Sequence, residues 1–282
     1  MPVLPSTALP AFLRTLSSSL PSSLPPSSSL LIPLLTTTTL GHAHPWLSPL
    51  LAHSLSALPP TPSPVPPEPA NPHDDRSLHP RRYTLLLAKE ALTKSAILIG
   101  VPRAIEALLE LQRLAPPEDR PARFVRKTLD DRAATIRERQ DAGERGLRSV
   151  YQAELDGIFG LMREEGLDDL RYLSRTVTYG TFLTPLPSSP SSSSPSADPF
   201  SPHPHLLPLL TLPCLIPQRT PRELGWHLRG ALRLGWRREE VEALQRAVEG
   251  VCEACGVDGV GEGMPRVEGV PRQKAEGQER AW

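Results

Sequence analysis

Residues 218–251 constrain the fold of this chain more than any other stretch. Thr220 followed by Pro221 has the form of an N-cap with proline at the first helical position. Leu224, His227, Leu228, Ala231, Leu232 and Leu234 then recur at helical spacing. Gly235 stops that helix. A second amphipathic helix opens at Arg237-Arg238-Glu239-Glu240, with Val241, Leu244, Ala247, Val248 and Val251 turned inward. The pattern predicts an antiparallel helical hairpin over 221–234 and 237–255, with no strand in 205–255. His227 falls on or beside the inner face, where it is the one group that titrates near neutral pH.

The rest of the chain carries the same period. Helices are expected over 30–40, 46–58, 80–99, 102–114, 150–165 and 167–183, and a charged, solvated helix over 130–148. No segment alternates as a half-buried strand would, so the fold class is all-α. Residues 1–28 read as disordered or poorly ordered and 59–80 as a Pro-dense linker. Residues 184–204 read as a Pro/Ser-rich insertion and 258–282 as a flexible tail. The folded unit is then 29–183 together with the hairpin segment 205–257.

Composition narrows the function classes. The chain has 282 residues and a formal net charge of +0, which argues against bulk nucleic-acid binding. The apolar run at 30–40 is too short to span a bilayer and contains Pro33. Three cysteines cannot all pair within one chain, and nothing marks a disulfide scaffold, so a reducing, intracellular compartment is expected. The first 67 residues hold no acid and one basic residue, Arg14. That leaves cytosol or mitochondrion open, because a transit peptide wants several arginines.

The segment Trp226-His227-Leu228-Arg229-Gly230-Ala231-Leu232-Arg233-Leu234-Gly235, followed by Glu239-Glu240-Val241, resembles the carboxymuconolactone decarboxylase and alkylhydroperoxidase D superfamily. The segments around Ile99-Gly100-Val101-Pro102-Arg103, Leu155-Asp156-Gly157-Ile158-Phe159 and Thr176-Val177-Thr178-Tyr179-Gly180 are similar to its fungal-type members. The resemblance covers about 30–257 and implies an AhpD-like helical bundle that self-associates as a dimer or higher oligomer. It also implies a small-molecule substrate. The peroxidase branch carries Cys-x-x-Cys-x-x-x-His with an upstream acid. Counted back from His227, the two thiol positions are Thr220 and Glu223, and the acid position falls near Pro208. A thiolate is what attacks a peroxide bond, so the resemblance points towards the decarboxylase branch or to a lineage without catalysis.

Three residues are candidates for chemistry. His227 is either a general base towards a small carbonyl or lactone compound or a helix histidine bonded within the core. Arg229 either grips a substrate carboxylate or pairs with an acid on the next helix, such as Glu240. Tyr179, beside Thr178, either donates into a pocket or is a core aromatic. Cys252 and Cys255 have redox spacing but sit at a helix end, where the dipole disfavours thiolate. The pairs His42/His44 and His203/His205 lack a third ligand, so no metal and no cofactor are expected.

Overall fold

Two helices that are buried on nearly every side form the centre of the molecule. The computed structural model describes residues 8–20, 22, 24, 26–62, 79–121, 125, 126, 136–184, 198–201 and 203–270. Among these residues no strand forms, and the chain is all-α. Helix α1 spans Leu9–Ser19, α2 Leu31–Leu40, α3 Ala43–Ser56, α4 Pro80–Ile99 and α5 Val101–Leu114. Helices α6 Ile136–Tyr151, α7 Glu154–Glu164 and α8 Asp168–Tyr172 follow, and α8 runs on as a π-helical segment, Leu173–Leu183. The chain closes with α9 Leu207–Leu215, α10 Pro221–Arg233 and α11 Arg238–Ala254.

The central helices are α2 and α9, which pack on each other. A helix with no polar face has to be surrounded, and every residue of α9 is buried. The four threonines of α2 are also buried. Three of them tolerate this because Thr37, Thr38 and Thr39 each donate a hydroxyl to the carbonyl four residues back, at 2.7 Å. Helices α3, α4, α10 and α11 pack around this pair, and α5 lies against α3 and α4.

Helix α6 and the π segment form a second layer. They meet backbone to backbone, and a Cβ added at Gly143 would stand 1.8 Å from the Arg175 carbonyl oxygen. Among the described residues, its main contacts with the helices around the central pair are α10 on α6 and α4 on the π segment.

Several boundaries differ from the sequence-based expectations. The region 1–28 contains α1, whose Leu9, Leu13 and Leu16 are buried. The tail region contributes buried Val260, Met264, Val267 and Val270 to the core, and the remainder from 271 lies outside the described residues. Of the insertion, 185–197 and Pro202 lie outside them too, but Asp198 and Phe200 are buried. The helix expected over 167–183 is α-helical only in its first turns. The predicted hairpin helices form, and Gly235 (φ +92°) separates them. They touch each other lightly, because α10 leans mainly on α9 and α6. Thr220 gives no side-chain cap to α10, since its hydroxyl donates to the Leu215 carbonyl instead.

Candidate functional site

Helix α10 is amphipathic and buries Leu224, His227, Leu228, Gly230 and Ala231. Its inner face docks on the C-terminal end of α6. Gly230 is required there, because a Cβ would come within 2.6 Å of Val150 Cγ1. Arg233 donates from Nη1 to the Val150 carbonyl at 2.6 Å, satisfying a carbonyl at the helix end. Immediately beyond, Gln152 turns the chain with φ 48°. That corner leaves Tyr151 as the last residue of α6 and starts α7 at Glu154.

His227 is 8% exposed, and its Nε2 lies 3.3 Å from the Tyr151 hydroxyl. Burial lowers the imidazole from 6.5 to about 4 and raises the Tyr151 phenol to about 12. Both groups are therefore neutral at pH 7. A neutral imidazole has one donor and one acceptor nitrogen, so the tautomer decides which of Nε2 and the hydroxyl donates. Tyr151 also meets Trp226 and Tyr179 edge-on, with ring centroids 5.8 and 6.4 Å away. Burial pushes the Tyr179 phenol well above its usual range. Its hydroxyl is close enough to Tyr151 for the two to influence each other's titration, yet it makes no hydrogen bond of good geometry.

The structure thus brings His227 and Tyr179 together through Tyr151, and it places Arg229 elsewhere. Residues two apart on a helix point roughly 200° apart, so Arg229 faces away from the imidazole. It pairs with Glu154 at 3.1 Å. Glu240, the acid expected for it, instead accepts from the Arg237 backbone N–H at 2.9 Å and caps α11.

The remaining sequence candidates are placed as follows. Cys252 and Cys255 are both buried, and burial pushes each thiol up to about 12, the opposite of an activated nucleophile. The rings of His203 and His205 lie 5.7 Å apart. Among the described residues no three His, Cys, Asp or Glu side chains gather as a metal site would require. Pro208 is buried in α9, and Glu223 is exposed in the first turn of α10. Clefts of about 730, 350 and 530 Å³ open elsewhere on the molecule, and His227, Arg229 and Tyr179 line none of the three.

Sequence reasoning missed two features. Tyr151 lies in the helix expected over 150–165 with no role assigned to it, and it supplies the hydroxyl bonded to His227. Glu90 and Lys94 lie in the helix expected over 80–99 with no role assigned to them, and both are buried beside Arg126 and Asp198. A signal for the second was present: four consecutive apolar residues, 85–88, cover all sides of α4 and require neighbours all round it.

No family model matches the chain, and no solved structure matches it. Among curated proteins, it is similar to Peroxisomal protein 2 of Schizosaccharomyces pombe, 26% identical over 178 residues, which span 60% of this chain and 70% of that protein.

Proposed function

We propose that this chain is a carboxymuconolactone decarboxylase-like (AhpD-like) helical protein in which the family's histidine has become a packing joint, and that it works without catalysis, by self-association or partner binding. The observation that carries this reading is that each polar residue of the resembling segment is already engaged inside the protein. His227 bonds Tyr151 and is sealed from the three clefts. Arg229 bonds Glu154, Gly230 admits Val150 and Arg233 takes the Val150 carbonyl. Thiol peroxidase chemistry has no support, since Thr220 and Glu223 stand at the thiol positions and the cysteines present are buried and protonated.

A second reading keeps the enzyme. A neutral imidazole beside a tyrosine hydroxyl is what base catalysis on a lactone or keto acid needs, and His227 with Tyr151 has that form. The two readings separate in the His227→Gln variant. The joint reading expects a stability loss of about 1–3 kcal/mol, from leaving a buried partner unpaired, and no change in binding of any lactone or keto acid. Turnover of such a compound by the unaltered protein, lost in a variant that stays folded, would overturn the joint reading.

Self-association agrees with apolar side chains left on the surface of α7, α8 and the following turn, among them Leu161, Leu170 and Leu173, which are 51, 44 and 40% exposed. Sedimentation as a monomer at micromolar concentration would contradict it. The name of the similar protein, Peroxisomal protein 2, supports a peroxisomal location for this chain, alongside the cytosol and mitochondrion. Imaging of the full-length tagged protein against organelle markers decides among the three. Among the described residues, no helix is long and apolar enough to cross a membrane.

A further inference from the structure

Four charged side chains from three separate parts of the chain meet beside the π segment. Lys94 Nζ lies 2.8 Å from Asp198 Oδ2 and 3.7 Å from Glu90 Oε1. Arg126 donates to both oxygens of Glu90, at 2.7 and 3.1 Å. The side chains of Lys94 and Asp198 are fully buried, and those of Glu90 and Arg126 are 3% and 13% exposed. Two positive and two negative charges balance, as charges at this depth must. The Asp198 carboxylate is itself held, because Oδ1 accepts the Phe200 backbone N–H at 2.9 Å.

Both cations also reach backbone. Lys94 Nζ donates to the Phe182 carbonyl at 2.9 Å, and Arg126 Nε donates to the Thr181 carbonyl at 3.3 Å. These carbonyls lie at the end of the π segment. The bond that closes its ladder runs from the Thr184 N–H to the Tyr179 carbonyl, at 3.2 Å. Past that bond a helix has carbonyls without partners of its own, and a π ladder is intrinsically rare. Something outside the helix has to favour this register over the α-helical one. Tyr179, whose ring meets Tyr151 beside His227, lies within the same turns.

We infer that the Glu90–Lys94–Arg126–Asp198 cluster is a positioning clasp. It seats two cations on the Thr181 and Phe182 carbonyls and so fixes the π register that brings Tyr179 against Tyr151. Through Asp198, that register depends on the chain returning to the core after the Pro/Ser-rich stretch. Glu90 and Asp198 are needed because two cations buried at those carbonyls without counter-charges would be uncompensated charge, which is costly to bury. Burial pushes the Glu90 carboxyl up, and Lys94 and Arg126 pull it back down. The clasp therefore links two places that are far apart in sequence: the far end of the Pro/Ser-rich stretch and the tyrosine–histidine joint. The link holds whichever role His227 has.

The test uses the full chain with Arg126→Lys and Asp198→Asn, and a control of equal instability made elsewhere, Leu111→Ala in the buried face of α5. Two readouts are compared at matched stability: exchange of the Thr184 amide, and the titration of His227 followed by NMR. The clasp predicts that Thr184 exchanges about tenfold or more faster in the cluster variants than in the control, because a charge-assisted bond holding the turn is lost. It also predicts that the His227 midpoint rises from about 4 towards its ordinary value in the cluster variants only. If Asp198→Asn does not fold, Arg126→Lys carries the test, since that side chain keeps its charge and is partly exposed. Thr184 exchange and a His227 midpoint that match the Leu111→Ala control would overturn the inference.

Discussion

The α6–π layer meets the helices around the central pair chiefly in two places, α10 on α6 and α4 on the π segment, and the two joints bury different sets of polar groups. Where α10 meets α6, the aromatic groups at the centre of the joint are neutral, the imidazole of His227 and the phenols of Tyr151 and Tyr179, and a cation, Arg233, lies beside them on the Val150 carbonyl near Glu154. Where α4 meets the π segment, the buried groups are four full charges. A neutral pair is cheap to bury and bonds weakly. Balanced charges are held strongly, but only as a complete set, because any one of them left alone is a buried uncompensated ion. The charged joint should thus be brittle and the neutral joint forgiving.

Lys94→Met tests that contrast with the largest effect. It leaves Asp198 facing an apolar chain, and the expected loss is about 4 kcal/mol, within the range for breaking one partner out of a buried set. Urea denaturation measures it. A loss below about 1 kcal/mol would mean that the charges do not hold this joint. Gly143→Ala strikes the layer itself. Its new Cβ has no room beside the Arg175 carbonyl, so α6 and the π segment must separate. A loss of about 3 kcal/mol is expected, the upper end for overpacking. An unchanged melting temperature would mean that the two backbones do not touch in solution.

The two joints also differ in how far the sequence announced them. The α10 side was legible because its residues act locally: proline starts the helix, Gly235 ends it, and the apolar spacing marks the face that carries His227. Its partner Tyr151 is 76 residues away, and no local pattern distinguishes a tyrosine that bonds a histidine from one that merely packs. The sequence did contain the reason that Arg229 cannot join His227, since two helical steps turn the side chain to the far face. The charged joint was far less visible. Glu90 and Lys94 have the i,i+4 spacing of an ordinary surface pair, and their partners Arg126 and Asp198 stand outside any helix. Asp198 also follows a low-complexity run that reads as insertion throughout. Helices α2 and α9 show a related limit. Their apolar runs contain prolines and threonines that lower helix propensity, and only complete burial with back-bonded hydroxyls makes such a sequence helical.

Acid sharpens the comparison, because the two joints respond to it with opposite signs. The His227 imidazole titrates near 4 in the fold against 6.5 ordinarily. Between those values the unfolded chain binds more protons than the folded one. This contribution is complete above pH 6.5 and is lost as pH falls towards 4, by about 3 kcal/mol in all. Glu90 acts in the other direction. Its carboxyl is raised by burial, so the folded state takes up that proton first, and the associated stability is lost as pH rises. The difference between the unaltered protein and His227→Gln, measured from pH 7 to 4, isolates the histidine. The gap in stability should narrow on acidification. A constant gap would show that His227 is not sealed from water.

Arg229→Ala should give the smallest effect, and it separates the two readings of the site most cleanly. The Arg229 and Glu154 side chains are 25% and 37% exposed, so the pair is partly screened and worth about 1 kcal/mol or less. Glu154 would not be stranded by the change, because Arg233 Nη2 lies 3.4 Å from it. Gly230 and the inner face of α10 would keep their contacts with α6. As part of the packing joint, then, Arg229 is nearly dispensable, and urea denaturation of the variant should almost overlay that of the unaltered chain. A residue that grips a substrate carboxylate is not dispensable, because losing a bidentate, charge-assisted contact weakens binding about tenfold or more. A keto acid that binds the unaltered protein, and binds Arg229→Ala tenfold more weakly at unchanged stability, would move Arg229 out of the joint and into a binding site. Equal stability with no keto-acid binding in either protein leaves it where the Glu154 pair puts it.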